Sequence, residues 1–189
     1  MLRGDELTLL AEHRRNRFFG KYRGEVTSND DPARLGRLQV RVKDVLDAEL
    51  VWAMPCVPYA GDGVGFYCLP EPGTGVWIEF EGGHPRFPIW VGCFWKKGEL
   101  PAEAEGPSIR LWKTKQLTIK VDDDAGESTI QTGETMKIAM TPSGGVETTA
   151  LTATHTVSTA GVTSNGGGAA KVEVTPAATV VNNGAFAVM

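Results

Sequence analysis

Between Thr148 and Ala170 the chain carries no Asp, Glu, Lys or Arg, and its only aliphatic side chains beyond alanine there are Leu151, Val157 and Val162. Small side chains bury little area each, so such a stretch has no means of making its own core. It is a disordered tail, a flexible linker, or a part that folds only in company. Aromatic residues are missing from most of the second half as well. All five tryptophans lie between Trp52 and Trp112, and Phe186 is the only aromatic after them. Only the front half, therefore, can build a conventional core. Cysteine is scarce: Cys56, Cys68 and Cys93 make an odd number without C-x-x-C spacing. This argues against a disulfide framework and a cysteine zinc site, and fits partly buried thiols in a reducing cytosol. No apolar run approaches the ~20 residues of a membrane span, and "MLRGDELTLL" lacks the apolar centre of a signal peptide. The expectation is a chain that is soluble when made and not exported by the usual route. A net charge of −4 with 22% charged residues indicates neither disorder nor a basic nucleic-acid surface.

Motifs of catalysis are also missing. There is no G-x-S-x-G, no H-E-x-x-H and no G-x-x-x-x-G-K-[ST]. "GDGVG" (Gly61–Gly65) resembles a phosphate loop only loosely and reads as a wide surface loop. "DDDAGE" (Asp122–Glu127) lacks the alternating ligand spacing of a calcium loop and reads as a solvated hairpin turn. Glu71, Glu79 and Glu81 could supply an acid/base pair, but alternation puts Glu79 and Glu81 on an outward polar face opposite Ile78 and Phe80. His13, His84 and His155 are scattered, with no pair at metal-ligand spacing. A threefold axis would multiply one histidine to three, and His155 alone is placed for that; packing or solvent exposure is the preferred reading. No catalytic, cofactor-binding or metal-binding residue is expected.

What is present is mostly strand. "GDELTLLAEHRRNRFFG" reads as a short helix capped by Asp5 and stopped near Gly20. Five runs follow that are rich in β-branched and aromatic residues: "KYRGEVT", "RLQVRVKD", "VWAMPCV", "GVWIEFE" and "RFPIWVGC". Several alternate apolar and polar residues, and turns rich in Asp, Gly and Pro separate them. With no helix among them, they suggest a small barrel of oligomer-binding (OB) type. "KKGELPAEAEGPS" (Lys96–Ser108) reads as a linker. Beyond it Leu117, Ile119 and Val121 alternate with polar residues, and later strands become Thr- and Ala-rich with glycine breaks every eight to twelve residues or so.

Four blocks then fall in order between Tyr22 and Trp95. They are Y-x-G-x-V at Tyr22–Val26, D-P-x-x-x-G-R-x-x-V-R at Asp31–Arg41, L-P-E-x-G at Leu69–Gly73, and V-x-I-x-F-E-x-G-x-P-x-x-P-x-W-x-G at Val76–Gly92. Together they resemble the OB domain of baseplate spikes from contractile injection systems: phage baseplate assembly protein V, the T-even tail spike and the VgrG spikes of type VI secretion. "RLWKTKQLTIKVDDDAGESTIQTG" looks like the start of the spike's triple-stranded β-helix, with Lys115-Gln116 where the family commonly has Gly-His. The resemblance implies a mainly β protein: a helical segment over 1–19, a five-stranded OB barrel over 20–97, a linker over 98–107, and an intertwined trimeric β-helix or β-prism over 108–189. About ten strands stacked at ~4.8 Å would form the shaft, with every ladder bond between chains and Leu117, Ile119, Val121, Val157 and Val162 facing its interior.

The function implied is a non-enzymatic homotrimeric needle, made in the bacterial cytoplasm and working in the baseplate, driven into a target envelope by sheath contraction. Its expected partners are a separate hub protein at the OB end, transiently the target membrane, and a PAAR-repeat tip protein on Asn182, Asn183, Gly184, Ala185, Phe186, Ala187, Val188 and Met189. No nucleic acid and no cofactor are implied. An OB-fold nucleic-acid-binding protein with a disordered tail is the alternative from another class, and the acidic balance speaks against it.

Overall fold

The computed structural model describes residues 17–46 and 49–188, and the chain divides into two units, Met1–Leu100 and Pro101–Met189. In the first unit the five expected runs are all strands: β1 (Tyr22–Ser28), β2 (Leu38–Arg41), β3 (Leu50–Pro55), β6 (Gly75–Phe80) and β7 (Pro88–Phe94). Between β3 and β6 lies a small hairpin of β4 (Ala60–Gly61) and β5 (Val64–Gly65). The barrel closes in the order β1-β2-β3-β7-β6, with β6 pairing β1 and only the β3–β7 pair parallel. Alternate residues turn inward: Val26, Leu38, Val40, Ala53, Val76, Ile78, Phe80 and Trp90, with Val42 just beyond β2, form its core. Gly24 belongs to this packing. A Cβ there would stand 2.9 Å from Ile78 Cγ1, so the Y-x-G-x-V block needs glycine for room.

Three local expectations change. The run "RLQVRVKD" ends early, because Lys43–Leu46 wind into one turn of helix, α1. Val42 is fully buried, its carbonyl accepts from Val45 N (3.2 Å) and Leu46 N (2.9 Å), and Val45 and Leu46 pack on the core. Spacing of i, i+3 and i+4 has overridden strand propensity there. "GDGVG" is a tight hairpin rather than a wide loop, with Gly63 at φ +68° in its two-residue turn. The expected N-terminal helix lies outside the described residues except for Arg17–Phe19, which are not helical. There Phe18 N donates to Gly83 O at 2.8 Å, and the Phe18 ring meets Tyr22 and Phe80 at centroid distances of 6.1 and 6.0 Å.

The second unit is one sheet of ten strands: β8 (Ile109–Lys113), β9 (Leu117–Asp122), β10 (Glu127–Thr132), β11 (Met136–Thr141), β12 (Gly145–Ala150), β13 (Ala153–Ser158), β14 (Gly161–Asn165), β15 (Lys171–Val174), β16 (Thr179–Val181) and β17 (Phe186–Val188). Each strand pairs antiparallel with its sequence neighbour, so the uncharged stretch is built into strands and their short turns as far as Asn165, and Gly166–Ala170 form the loop before β15. The ladder bonds run within the chain, where the expected intertwining placed them between chains. Short turns make this possible: two to five residues reverse the chain between antiparallel neighbours. "DDDAGE" is such a reversal, with Asp122 Oδ1 accepting from Asp124 N and Ala125 N, both at 3.1 Å. Gly145 opens β12 at φ +77°, where a Cβ would fall 2.1 Å from Val157 O.

Candidate interaction faces

Register aligns the ten strands into continuous rows across the sheet. One row runs Val121, Ser128, Met140, Val146, Val157, Val162, Val174 and Thr179. Beside it on the same face runs Trp112, Ile119, Ile130, Ile138, Thr148, His155, Ser164, Val172, Val181 and Phe186. A third, shorter row holds Leu117, Thr132, Met136, Ala150 and Ala153. Arg110, opposite Val121, is the one arginine or lysine on this face; the other face holds the remaining strand charges, among them Lys120, Lys137, Glu147, Lys171 and Glu173. Lys171 pairs there with Glu173 at 2.9 Å, and Thr156 Oγ1 donates to Glu147 Oε2 at 3.3 Å. Alternation at period two has thus separated an apolar from a charged face.

Among the described residues of the second unit, none covers the apolar face. No described residue from 101 onward is buried, and Met136, Ile138 and Val157 remain 54, 40 and 45% exposed. A contiguous exposed apolar surface of this kind is characteristic of interaction surfaces.

The residues expected to line an interior, Leu117, Ile119, Val121, Val157 and Val162, all lie on this face, and Val157 and Val162 are direct partners across β13 and β14. Ser158 lies on the other face, opposite Gly161. Met136, Ile138, Met140, Val172 and Val174 belong to the same face and were not singled out, although the alternation in "MKIAM" and "KVEV" carries the signal. The expected tip strand is shorter than read. Asn182–Gly184 form a 3-10 turn, with Asn182 and Asn183 at φ 47° and 53°, and the strand is Phe186–Val188 alone. Asparagine tolerates left-handed backbone, and Asn182 Oδ1 accepts from Lys171 N at 3.1 Å, which favours the turn. Ala185 follows the turn, Phe186 is 63% exposed, and Met189 lies outside the described residues.

On the barrel, the D-P-x-x-x-G-R block is a polar knot. Asp31 Oδ1 accepts from Arg37 Nη2 (2.7 Å), Arg37 Nε (3.1 Å) and Ala33 N (3.0 Å), and Oδ2 accepts from Leu35 N (2.8 Å) and Arg37 N (3.2 Å). The Arg37 bonds foremost, with the backbone donors, hold the Asp31 carboxyl well below the usual carboxylate range against the opposing effect of burial. Arg37 also lies over the Trp52 ring at 5.2 Å, and Trp90 Nε1 donates to Gly36 O at 3.3 Å. The block therefore fixes the β1–β2 loop. Beside it a groove of about 440 Å³, lined by Leu35, Tyr59, Phe66, Tyr67 and Trp90 among others, is apolar and open.

Of the acidic residues considered for catalysis, Glu79 points outward and pairs with Lys21, and Glu81 is exposed at the start of a 3-10 turn whose Gly83 is buried. His84 Nδ1 accepts from Arg86 N at 3.2 Å. Cys56, Cys68 and Cys93, expected to be partly buried, are exposed; Cys56 and Cys68 lie in loops outside the strands, and Cys93 is near the end of β7.

Among the described residues no helix is long and apolar enough to cross a membrane. No curated protein matches the chain. Residues 22–95 match the family profile of the type VI secretion system and phage-baseplate injector OB domain. That span begins with β1 and ends just past β7, so it covers the closed barrel and its Asp31–Arg37 knot. The barrel is thus similar to the OB domain of type VI secretion system and phage-baseplate injectors, a likeness that covers residues 22–95 and leaves the ten-stranded sheet outside it.

Proposed function

We propose that the chain is the structural spike of a contractile injection system, in which three copies pack the apolar faces of their ten-stranded sheets around a common axis. The observation that supports this most directly is the uncovered face itself: ten strands with one side that carries Arg110 and His155 as its only ionisable side chains, and no buried residue among those described. Each sheet would form one side of a prism, its charged face outward and its intrachain ladders intact. A stiff needle of this kind needs no catalytic residue. It acts by transmitting force from sheath contraction to a target envelope, with a separate hub protein engaging the barrel and a PAAR-repeat tip protein capping the end that carries Phe186.

Two copies stacked face to face would also cover the apolar rows, so the copy number is what must be measured. Light scattering on the purified protein should give three times the chain mass of 20.3 kDa. A monomer or dimer in dilute buffer would overturn the proposal. Removing residues 185–189 should keep the trimeric mass and lose capture of the tip protein. Unchanged capture would place docking elsewhere.

A further inference from the structure

The groove beside the Asp31–Arg37 knot continues into a second one. Aromatic side chains of the β4–β5 hairpin's flanks, Tyr59, Phe66 and Tyr67, wall the first. The second, about 310 Å³, is polar and is lined by Asn29, Asp30 and Asp31 of the β1–β2 loop. Arg34, Gly36 and Tyr67 line both, so the two make one cleft with an apolar and a polar half. Hydrogen bonds brace its walls. Asn29 Nδ2 donates to Pro70 O at 3.1 Å and ties the β1–β2 loop to the segment after the hairpin. Phe66 N donates to Tyr59 O at 2.9 Å across the hairpin's base.

Several groups in this cleft are unspent. Among the described residues, Tyr59, Phe66 and Tyr67 meet no other ring, whereas Phe18, Tyr22 and Phe80 pack on one another. The Tyr59 and Tyr67 hydroxyls, the Asp30 carboxylate and the Arg34 guanidinium have no hydrogen-bond or ion-pair partner among those residues either. Arg34 also holds φ at +54°, a left-handed backbone that residues other than glycine adopt seldom. Strain of that kind persists where the surroundings fix it, and it gathers at ligand sites.

We infer that the cleft binds an uncharged oligosaccharide. A pyranose ring has a flat face of C–H groups, whose slightly positive hydrogens suit the negative face of a tyrosine ring. Its rim carries adjacent hydroxyls that both donate and accept. Arg34 supplies donors only, Asp30 acceptors only, and the tyrosine hydroxyls either. That mixed set fits a ligand whose neighbouring atoms do both. A phosphodiester would be repelled by Asp30, and a lipid chain would leave the polar half unpaired. A run of prolines could lie on the tyrosines but has no N–H to offer Asp30. A concave, largely apolar site with a few convergent polar groups is the usual form of a small-ligand site. The cleft belongs to one barrel, so the inference does not rest on the trimer.

The test is titration calorimetry on the full-length protein, with N-acetylchitotetraose, cellotetraose and maltotetraose as probes. At least one of the three is expected to bind. Tyr67→Ala should weaken that binding about tenfold or more. Arg34→Gly should do the same, since glycine suits the left-handed backbone and only the guanidinium is lost. Arg86→Ala, outside the cleft, should bind as the unaltered protein does. Failure of all three sugars to bind, or binding that survives both cleft substitutions, overturns the inference. Decaproline binding in their place would make the cleft a peptide groove and overturn it as well.

Discussion

The barrel and the ten-stranded sheet are made of similar material, short antiparallel strands with alternating side chains, yet they end in opposite states. Closure lets β1 and β6 meet, so that each inward row faces other inward rows and nine apolar side chains become buried. The meander from β8 to β17 never returns to its first strand, and no described residue of its own unit packs over its apolar rows. The difference lies in topology and side-chain size more than in strand propensity. Trp90, Phe80 and Ile78 fill a closed space, whereas a sheet of Val, Thr and Ala needs a second surface of the same kind. The first unit is built to fold by itself, and the second is proposed to fold as part of an assembly.

The largest test of this contrast is a charge on either face of one strand. Val157→Asp places a carboxylate on the apolar face, once per chain at a single level, and burying unpaired like charges costs several kcal/mol each. It should abolish the trimer by light scattering. Ser158→Asp, on the opposite face, should leave the mass unchanged. Equal tolerance of both would show that the apolar face is not an interface.

A smaller effect separates the two units by truncation of like side chains. Ile78 is fully buried and Ile138 is 40% exposed in the single chain. Ile78→Ala should destabilise the barrel by roughly 2–5 kcal/mol, visible as a lowered denaturation midpoint of a fragment ending at Gly98. Ile138→Ala should leave that barrel transition untouched and instead lower the denaturant concentration at which the trimer dissociates. If Ile138→Ala had no effect on dissociation, the middle row would not be a contact.

The smallest expected effect belongs to pH. Because the folded-state pKa of Asp31 is depressed, the Asp31–Arg37 knot contributes stability in full above the ordinary carboxylate value of about 4. That contribution is lost as pH falls below it toward the lower folded value. The barrel fragment should therefore lose stability on acidification, and Asp31→Asn should start from a lower melting temperature and show a shallower decline. An unchanged slope in Asp31→Asn would show that the knot does not govern the acid response.

The barrel was legible because its strands repeat inward residues at period two between turn residues, and because its blocks fall in family order. The α1 turn was not, since "VKDVL" serves strand and helix equally until Val42, Val45 and Leu46 are seen to share one core. Likewise the rows Val157–Val162 and Thr148–His155–Ser164 depend on register. Alternation tells which residues of one strand share a face, but only paired turns decide which residue stands opposite.

Sequence alone determined that the front half could make a core and the back half could not, because the number and size of apolar side chains bound what a chain can bury. It also determined the two-faced character of the later strands, a property of period-two alternation within each one. Only the tertiary structure decided that the later strands pair with their own neighbours, that all their apolar rows fall on one side, and that Asn182 and Asn183 interrupt the last strand. Those outcomes depend on turn geometry and on cross-strand register, which couple residues far beyond the reach of any local pattern.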